Sequence, residues 1–183
     1  MTEKDARRAI ERVLFTKDEI AAKVRELAAR IDIDYRGKDP VAVCVLNGAM
    51  IFFADLIRAM SVPAEVDSVC ASSYGKGTRS CGTVTFGKDV GTDIRGRHVL
   101  LVEDIIDSGL TMAALTEELK KREPASVRVC ALLDKPSRRV NGFTADYTGF
   151  EIPDEFVVGY GLDLGGKYRS LDSICVLARE KSE

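Results

Sequence analysis

The residues best suited to chemistry stand in one run, Glu103-Asp104-Ile105-Ile106-Asp107-Ser108-Gly109-Leu110-Thr111, directly behind the apolar stretch 99–102. An apolar strand there delivers two adjacent carboxylates to its carboxyl end. A short loop then carries a third acid, a serine, a glycine and a threonine into a helix. In an open α/β sheet, that edge is where ligands bind. Backbone N–H groups at the helix start, approachable because Gly109 has no side chain, suit a phosphate. The Ser108 and Thr111 hydroxyls add donors to the same group. The acids need a different partner, and Glu103 and Asp104 suit a sugar diol or Mg²⁺, since hard cations take carboxylate oxygens. On spacing alone, an alternative stands: Asp107 or Ser108 caps the helix and the acids are solvated.

The other candidates are weaker by themselves. Leu46-Asn47-Gly48-Ala49 reads as an Asn-Gly turn between a strand and a helix. Ser73-Tyr74 opens a polar stretch, Lys135 follows an apolar run, and Phe156 read alone is a core residue. His98, the single histidine, has no acidic or cysteine partner in sequence and reads as a surface residue. There is no Gly-x-x-x-x-Gly-Lys-Ser/Thr and no dinucleotide fingerprint, so ATP hydrolysis and NAD chemistry lack support.

A scaffold for these residues is visible in the patterning. The chain opens with two helical stretches. The second has Thr16 three residues before Glu19, a capping box, followed by Ile20, Val24, Leu27, Ala28 and Ile31 at helical spacing. Strands are predicted at 41–46, 65–72, 82–88, 98–102 and 127–133, with helices at 49–60 and 111–122. Shorter strand-like pieces fall at 156–160 and 173–177. Strand–turn–helix units in succession predict an α/β fold, with a central, mainly parallel sheet flanked by helices. The segment of about 141–183, with the N-terminal helix as a candidate addition, is expected to form a small hood.

The 183 residues fit one domain, and the 45% hydrophobic and 31% charged content is that of a soluble globular protein. Lys and Arg number 27 against 29 Asp and Glu. That balance argues against a non-specific nucleic-acid binder. No apolar run approaches the ~20 residues of a membrane-spanning helix, and residues 1–12 show no secretory signal. Five cysteines without a Cys-x-x-Cys argue against a zinc site or a disulfide framework and for a reducing cytoplasm.

The run from Glu103 to Thr111 resembles the phosphoribosyl-pyrophosphate (PRPP) signature of type I phosphoribosyltransferases, and most resembles their hypoxanthine-guanine branch. The resemblance extends over roughly residues 10–180. It implies the type I phosphoribosyltransferase fold and transfer of the 5-phosphoribosyl group from PRPP to N9 of hypoxanthine and guanine, with release of pyrophosphate, in purine salvage. It implies that Glu103 and Asp104 hold the ribose hydroxyls and Mg²⁺. Asp107, Ser108, Gly109, Leu110 and Thr111 would bind the 5′-phosphate, with Asp107 near purine N7 as general base. Asn47 and Gly48 match a loop that binds pyrophosphate through backbone amides, often across a cis peptide, and Arg169 would join them. Asn47 stands where many members carry Lys or Arg, so direct charge contact is lost there.

Ser73-Tyr74 resembles the start of the family's flexible lid. Lys135 matches the lysine that donates to purine O6. In Phe156-Val157-Val158-Gly159-Tyr160-Gly161-Leu162-Asp163, Phe156 would stack on the base, while Val157 and Asp163 offer backbone groups to its edge. The Asp163 carboxylate would reach a second Mg²⁺ through water. A homodimer or homotetramer is expected, with no nucleic-acid or membrane partner. Rival readings are another acceptor base, such as xanthine, uracil or orotate, or a regulator that keeps the nucleotide site and binds RNA. A receiver-like signalling domain is a weaker rival, which leaves the Phe156 segment unexplained.

Overall fold

The computed structural model describes residues 10–73 and 84–178. Tyr74 and Cys81 lie outside the described residues. The first described element is a strand, β1 (Ile10–Phe15), in the region where the sequence suggested only helix. The strand wins because β1 pairs antiparallel with a distant partner, Ile174–Leu177, whose ladder no local propensity reveals. Helix α1 (Lys17–Asp34) follows, with its predicted capping box intact: Thr16 Oγ1 accepts from the Glu19 N–H, and Glu19 accepts from the Thr16 N–H at 2.8 Å. Its buried residues are Ile20, Val24, Leu27, Ala28 and Ile31, the stripe read from spacing.

Strand β2 (Pro40–Leu46) leads into α2 (Met50–Ala59), and β3 (Glu65–Ser73) forms an antiparallel pair with β4 (Val84–Lys88). Strand β5 (His98–Ile106), helix α3 (Leu110–Lys120), β6 (Ser126–Asp134), a 3₁₀ turn (Pro136–Arg138) and β7 (Tyr147–Glu151) complete the main sheet, in the order β4-β3-β2-β5-β6-β7. Apart from the β3–β4 hairpin, neighbouring strands are parallel. Alternate strand residues feed two cores. Ala42, Cys44, Leu100 and Val102 pack with α1 and α2. Val41, Val43, Val99 and Leu101 pack on the other face with Met112, Leu115 and Leu119 of α3. Each of the valine, leucine and methionine side chains contributes on the order of 1.5–3 kcal/mol when fully buried, so helices on both faces hold the sheet rigid beneath its loops.

Three boundaries depart from the sequence reading. β5 runs four residues past 102, because its pairing with β6 continues through Glu103↔Ala131 and Ile105↔Leu133 to Ile106↔Asp134. β7 was missed. It pairs with β6, so residues 147–151 join the main sheet instead of a hood. Gly149 permits the pairing and obscures it in the sequence: a Cβ there would fall 2.5 Å from the Leu132 carbonyl oxygen, so the close approach needs a residue that weakens a strand signal. β8 is only Val157–Val158, since positive φ at Gly159, Tyr160 and Gly161 turns the chain at once. With β9 (Ile174–Leu177) and β1 it forms a small sheet in the order β1-β9-β8.

Candidate active site

Parallel pairing brings the carboxyl ends of β2, β5 and β6 to one edge of the main sheet, and the predicted site residues gather there. Glu103 is 8% exposed. Its carboxylate accepts from the Asp104 N–H at 3.0 Å, and the Asp104 carboxylate accepts from the Ile105 N–H at 2.7 Å. Burial, and then the neighbouring Asp104, pushes the Glu103 carboxyl well above its ordinary pKa. Burial raises Asp104 too, opposed by its hydrogen bonds and by the charge of Arg169.

Two adjacent carboxylates, one buried and one half-buried, whose pKa values are both raised fit a cation. Among the described residues no group of three His, Cys, Asp or Glu side chains could hold a metal. A Mg²⁺ on Glu103 and Asp104 would therefore draw its remaining oxygens from water and substrate, as that ion commonly does.

The turn between β5 and α3 borders a cavity of about 160 Å³, lined by residues 103–109, Thr111 and Met112. Gly109 is the N-cap of α3, at φ +81°, and no side chain caps the helix. The simple capping alternative for Asp107 and Ser108 therefore fails. Ser108 Oγ accepts only a long bond, 3.4 Å, from the Leu110 N–H. The first N–H groups of a helix have no partner within it, so those of α3 are donors for an anion in this cavity.

The β2–α2 turn approaches from beside it. Its Leu46–Asn47 peptide is cis. A Cβ on Gly48 would lie 1.7 Å from Asp104 Oδ2, and one on Gly161 would lie 2.1 Å from the Gly48 carbonyl oxygen. Arg169 Nη1 donates to the Gly161 carbonyl at 2.5 Å, and Nη2 pairs with the Asp163 carboxylate at 2.8 Å. Asn47, Gly48, Asp104, Asp163 and Arg169 thus belong to one interlocked cluster.

The model of the phosphoribosyl transferase domain matches residues 14–164. The chain belongs to the phosphoribosyl transferase family. It is 48% identical to the hypoxanthine-guanine phosphoribosyltransferase of Bacillus subtilis (strain 168), over 92% of this chain and 93% of that one. It is 45% identical to the hypoxanthine-guanine-xanthine phosphoribosyltransferase of Tritrichomonas foetus, over 97% of each. The crystal structure of a hypoxanthine phosphoribosyltransferase from Staphylococcus aureus superposes with a TM-score of 0.92, at 40% identity and 97% coverage of each chain.

In this phosphoribosyl transferase, Lys135 is 8% exposed, against the solvated position usual for a lysine behind a strand. Its N–H donates to the Ile106 carbonyl at 2.9 Å, which sets Lys135 beside Asp107. Phe156 is 52% exposed, so the core reading of this residue is excluded, while Val157 is buried. Ser73 ends β3, but Tyr74 lies outside the described residues. His98 is not a free surface residue. It is half-buried at the start of β5, where its Nδ1 shares a hydrogen bond with Ser126 Oγ at 2.8 Å.

The residues after Lys135 carry no motif in the sequence, yet they hold the Asp107–Gly109 turn. Arg138 Nε donates to Asp107 Oδ1 at 2.9 Å, and Arg139, paired with Asp134, donates to the Asp107 carbonyl at 3.1 Å. The Val140 N–H donates to the Ser108 carbonyl, and Asn141 Nδ2 to that of Gly109. The adjacent pair Arg138-Arg139, following so closely on Lys135, was the available signal.

Proposed function

We propose that the chain is a hypoxanthine-guanine phosphoribosyltransferase, moving the 5-phosphoribosyl group from PRPP to N9 of a 6-oxopurine to give IMP or GMP and pyrophosphate. The observation that carries the acceptor assignment is Lys135, a donor-only ammonium buried beside the Asp107 turn. An ammonium there matches O6 of hypoxanthine or guanine and opposes the amino group of adenine.

The N–H groups of the α3 start, with the Ser108 and Thr111 hydroxyls, hold the 5′-phosphate, and Asp107, Gly109 and Leu110 complete that loop. Glu103 and Asp104 orient the ribose hydroxyls. The amides of Asn47 and Gly48, with Arg169, bind pyrophosphate. Phe156 stacks on the base, and backbone groups of Val157 and Asp163 meet its edge. As the bond from the anomeric carbon to pyrophosphate breaks and the bond to N9 forms, Asp107 accepts the N7 proton, a contribution of about 10²–10⁴-fold for a positioned base. Holding base, sugar and leaving group in line supplies the orientation part of the rate. Glu103 and Asp104 would hold Mg²⁺, and Asp163 a second ion through water; the metal supplies charge neutralisation for the departing pyrophosphate.

The whole chain is read as one phosphoribosyltransferase domain, with the three-stranded sheet β1-β9-β8 as its hood. It is read as a homodimer or homotetramer that binds neither nucleic acid nor membrane. Among the described residues no helix is long and apolar enough to cross a membrane. Cys44, Cys70, Cys130 and Cys175 are free thiols, which supports the cytoplasm as its location.

The test is PRPP-dependent nucleotide formation with hypoxanthine, guanine, xanthine, adenine and uracil. Turnover of hypoxanthine and guanine with negligible adenine and uracil is expected. The xanthine arm decides a second reading, suggested by the name of the Tritrichomonas foetus relative.

A further inference from the structure

The side chain that touches the proposed base lies outside every motif singled out in the sequence. Arg138 Nε donates to Asp107 Oδ1 at 2.9 Å, and Arg138 Nη1 lies 3.5 Å from Asp154 Oδ2. The other oxygen of that carboxylate stands 4.0 Å from the Lys135 ammonium. Asp154 therefore sits between two cations, and the charges alternate along Asp107, Arg138, Asp154 and Lys135. The placement follows from the sheet. Ile106 pairs with Asp134, so Asp107 and Lys135 leave adjacent parallel strands side by side. The Ile152 N–H donates to the Asp134 carbonyl at 2.8 Å, which draws the segment carrying Asp154 over the same edge.

We propose that Arg138, linked to Lys135 through Asp154, is a positioning residue that holds Asp107 Oδ1 so that the other oxygen faces purine N7. This rests on the roles given above to Asp107 and Lys135. N7 and O6 are neighbours on one edge of a 6-oxopurine, so the carboxylate and ammonium that read them need a fixed spacing. A carboxylate and an ammonium issuing from adjacent strands attract each other, and a direct pair would occupy both groups and close the gap meant for the base. The alternating chain gives each its own counter-ion. Among the described residues the only ion pair of Lys135 is with Asp154, and that of Asp107 is with Arg138. The Asp107–Arg138 pair is half-exposed, and such pairs contribute little to stability. Its effect is on geometry.

The experiment measures single-turnover rates of nucleotide formation from hypoxanthine, with the Kd for PRPP, in wild type, Arg138→Gln, Arg138→Lys, Asp107→Asn and the Arg138→Gln/Asp107→Asn double variant. Arg138→Gln is expected to slow the chemical step by about 10–100-fold, the range that misplacement of a reacting group causes. The Kd for PRPP and the melting temperature stay unchanged, and Arg138→Lys recovers much of the rate. In the Asp107→Asn background the Arg138 change has no further effect, because the two act as one unit. Equal losses in both backgrounds, no loss in Arg138→Gln, or a weaker PRPP Kd at an unchanged chemical rate would each overturn the proposal while leaving Asp107 as the base. An unchanged rate in Asp107→Asn alone would remove the base itself, and the Arg138 proposal with it.

Discussion

Two turns leave the same edge of the main sheet from neighbouring strands, β2 and β5, and they are built in opposite ways. The β5–α3 turn is charged: it follows the buried Glu103 and the half-buried Asp104, carries Asp107, and is held by Arg138 and Arg139 from the next loop. The β2–α2 turn has no ionisable side chain. Its shape is set by contact, with Gly48 against the Asp104 carboxylate and Gly161 against the Gly48 carbonyl. Both lead into helices whose first turn lacks a side-chain cap, whereas α1 has a complete capping box. Helix N-termini left open at a ligand edge present free N–H donors. A charged turn is thus broken by changing a group, and an uncharged one by changing a shape.

The largest effect is expected from the metal. Excess EDTA should abolish nucleotide formation and added Mg²⁺ should restore it, because a cation would balance both the adjacent Glu103 and Asp104 carboxylates and the pyrophosphate that leaves in the proposed reaction. Full activity in EDTA would show that the charged turn works without one. Next comes Lys135. A site built to hydrogen-bond one group rejects the mismatched analogue by roughly 10⁴–10⁵-fold, so wild-type kcat/KM for adenine should fall that far below that for hypoxanthine. Lys135→Met should narrow the gap, mainly by lowering the hypoxanthine value. A variant that keeps the full ratio would show that another group reads position 6.

Gly48→Ala tests the uncharged turn. Its methyl would fall 1.7 Å from Asp104 Oδ2, so either the turn or the carboxylate must shift. A loss of about 10²-fold in kcat/KM for PRPP is expected, the cost of displacing a reacting partner by about 1 Å. Wild-type kinetics would mean that the contact has no bearing on the site.

The smallest effect is expected at Asp67, which belongs to the scaffold. Its carboxylate accepts from Lys88 and from the N–H groups of Gly91 and Thr92, at 2.8–2.9 Å. Burial opposes ionisation, but these bonds and one from the Ser68 N–H outweigh it and hold the pKa well below the usual carboxylate range. A depressed carboxylate stabilises the fold above its unfolded pKa of about 3.9 and loses that contribution as pH falls towards its folded value. Asp67→Asn should therefore lower the melting temperature at pH 7, by the equivalent of about 1–3 kcal/mol. The variant should also decline less steeply than wild type below pH 4, with kcat unchanged. A change in kcat would mean that scaffold and site are coupled.

The charged turn was readable in sequence because its parts are contiguous. Nine consecutive residues hold both carboxylates, the third acid, the glycine and the hydroxyls. The α1 stripe and its cap were readable for the same reason, since a helix repeats over a few residues. β1 was not, because it is made by a partner far along the chain, and β7 was not, because Gly149, which permits a close approach to Leu132, weakens its strand pattern. The last four residues of β5 were hidden as well: acids at a strand end read as a turn until β6 supplies the ladder.

Residue type and local order alone pointed to the chemistry of the charged turn and to the start of α1. Whether Lys135 is buried, Phe156 exposed, Gly48 pressed on Asp104 and Asp107 held by Arg138 depended on the sheet bringing separate loops to one edge. Burial and ionic partners are properties of the neighbours that a side chain acquires on folding. Those neighbours come from segments about thirty to more than fifty residues away along the chain, as from Asp107 to Arg138 or Gly48 to Asp104, beyond the reach of any local pattern.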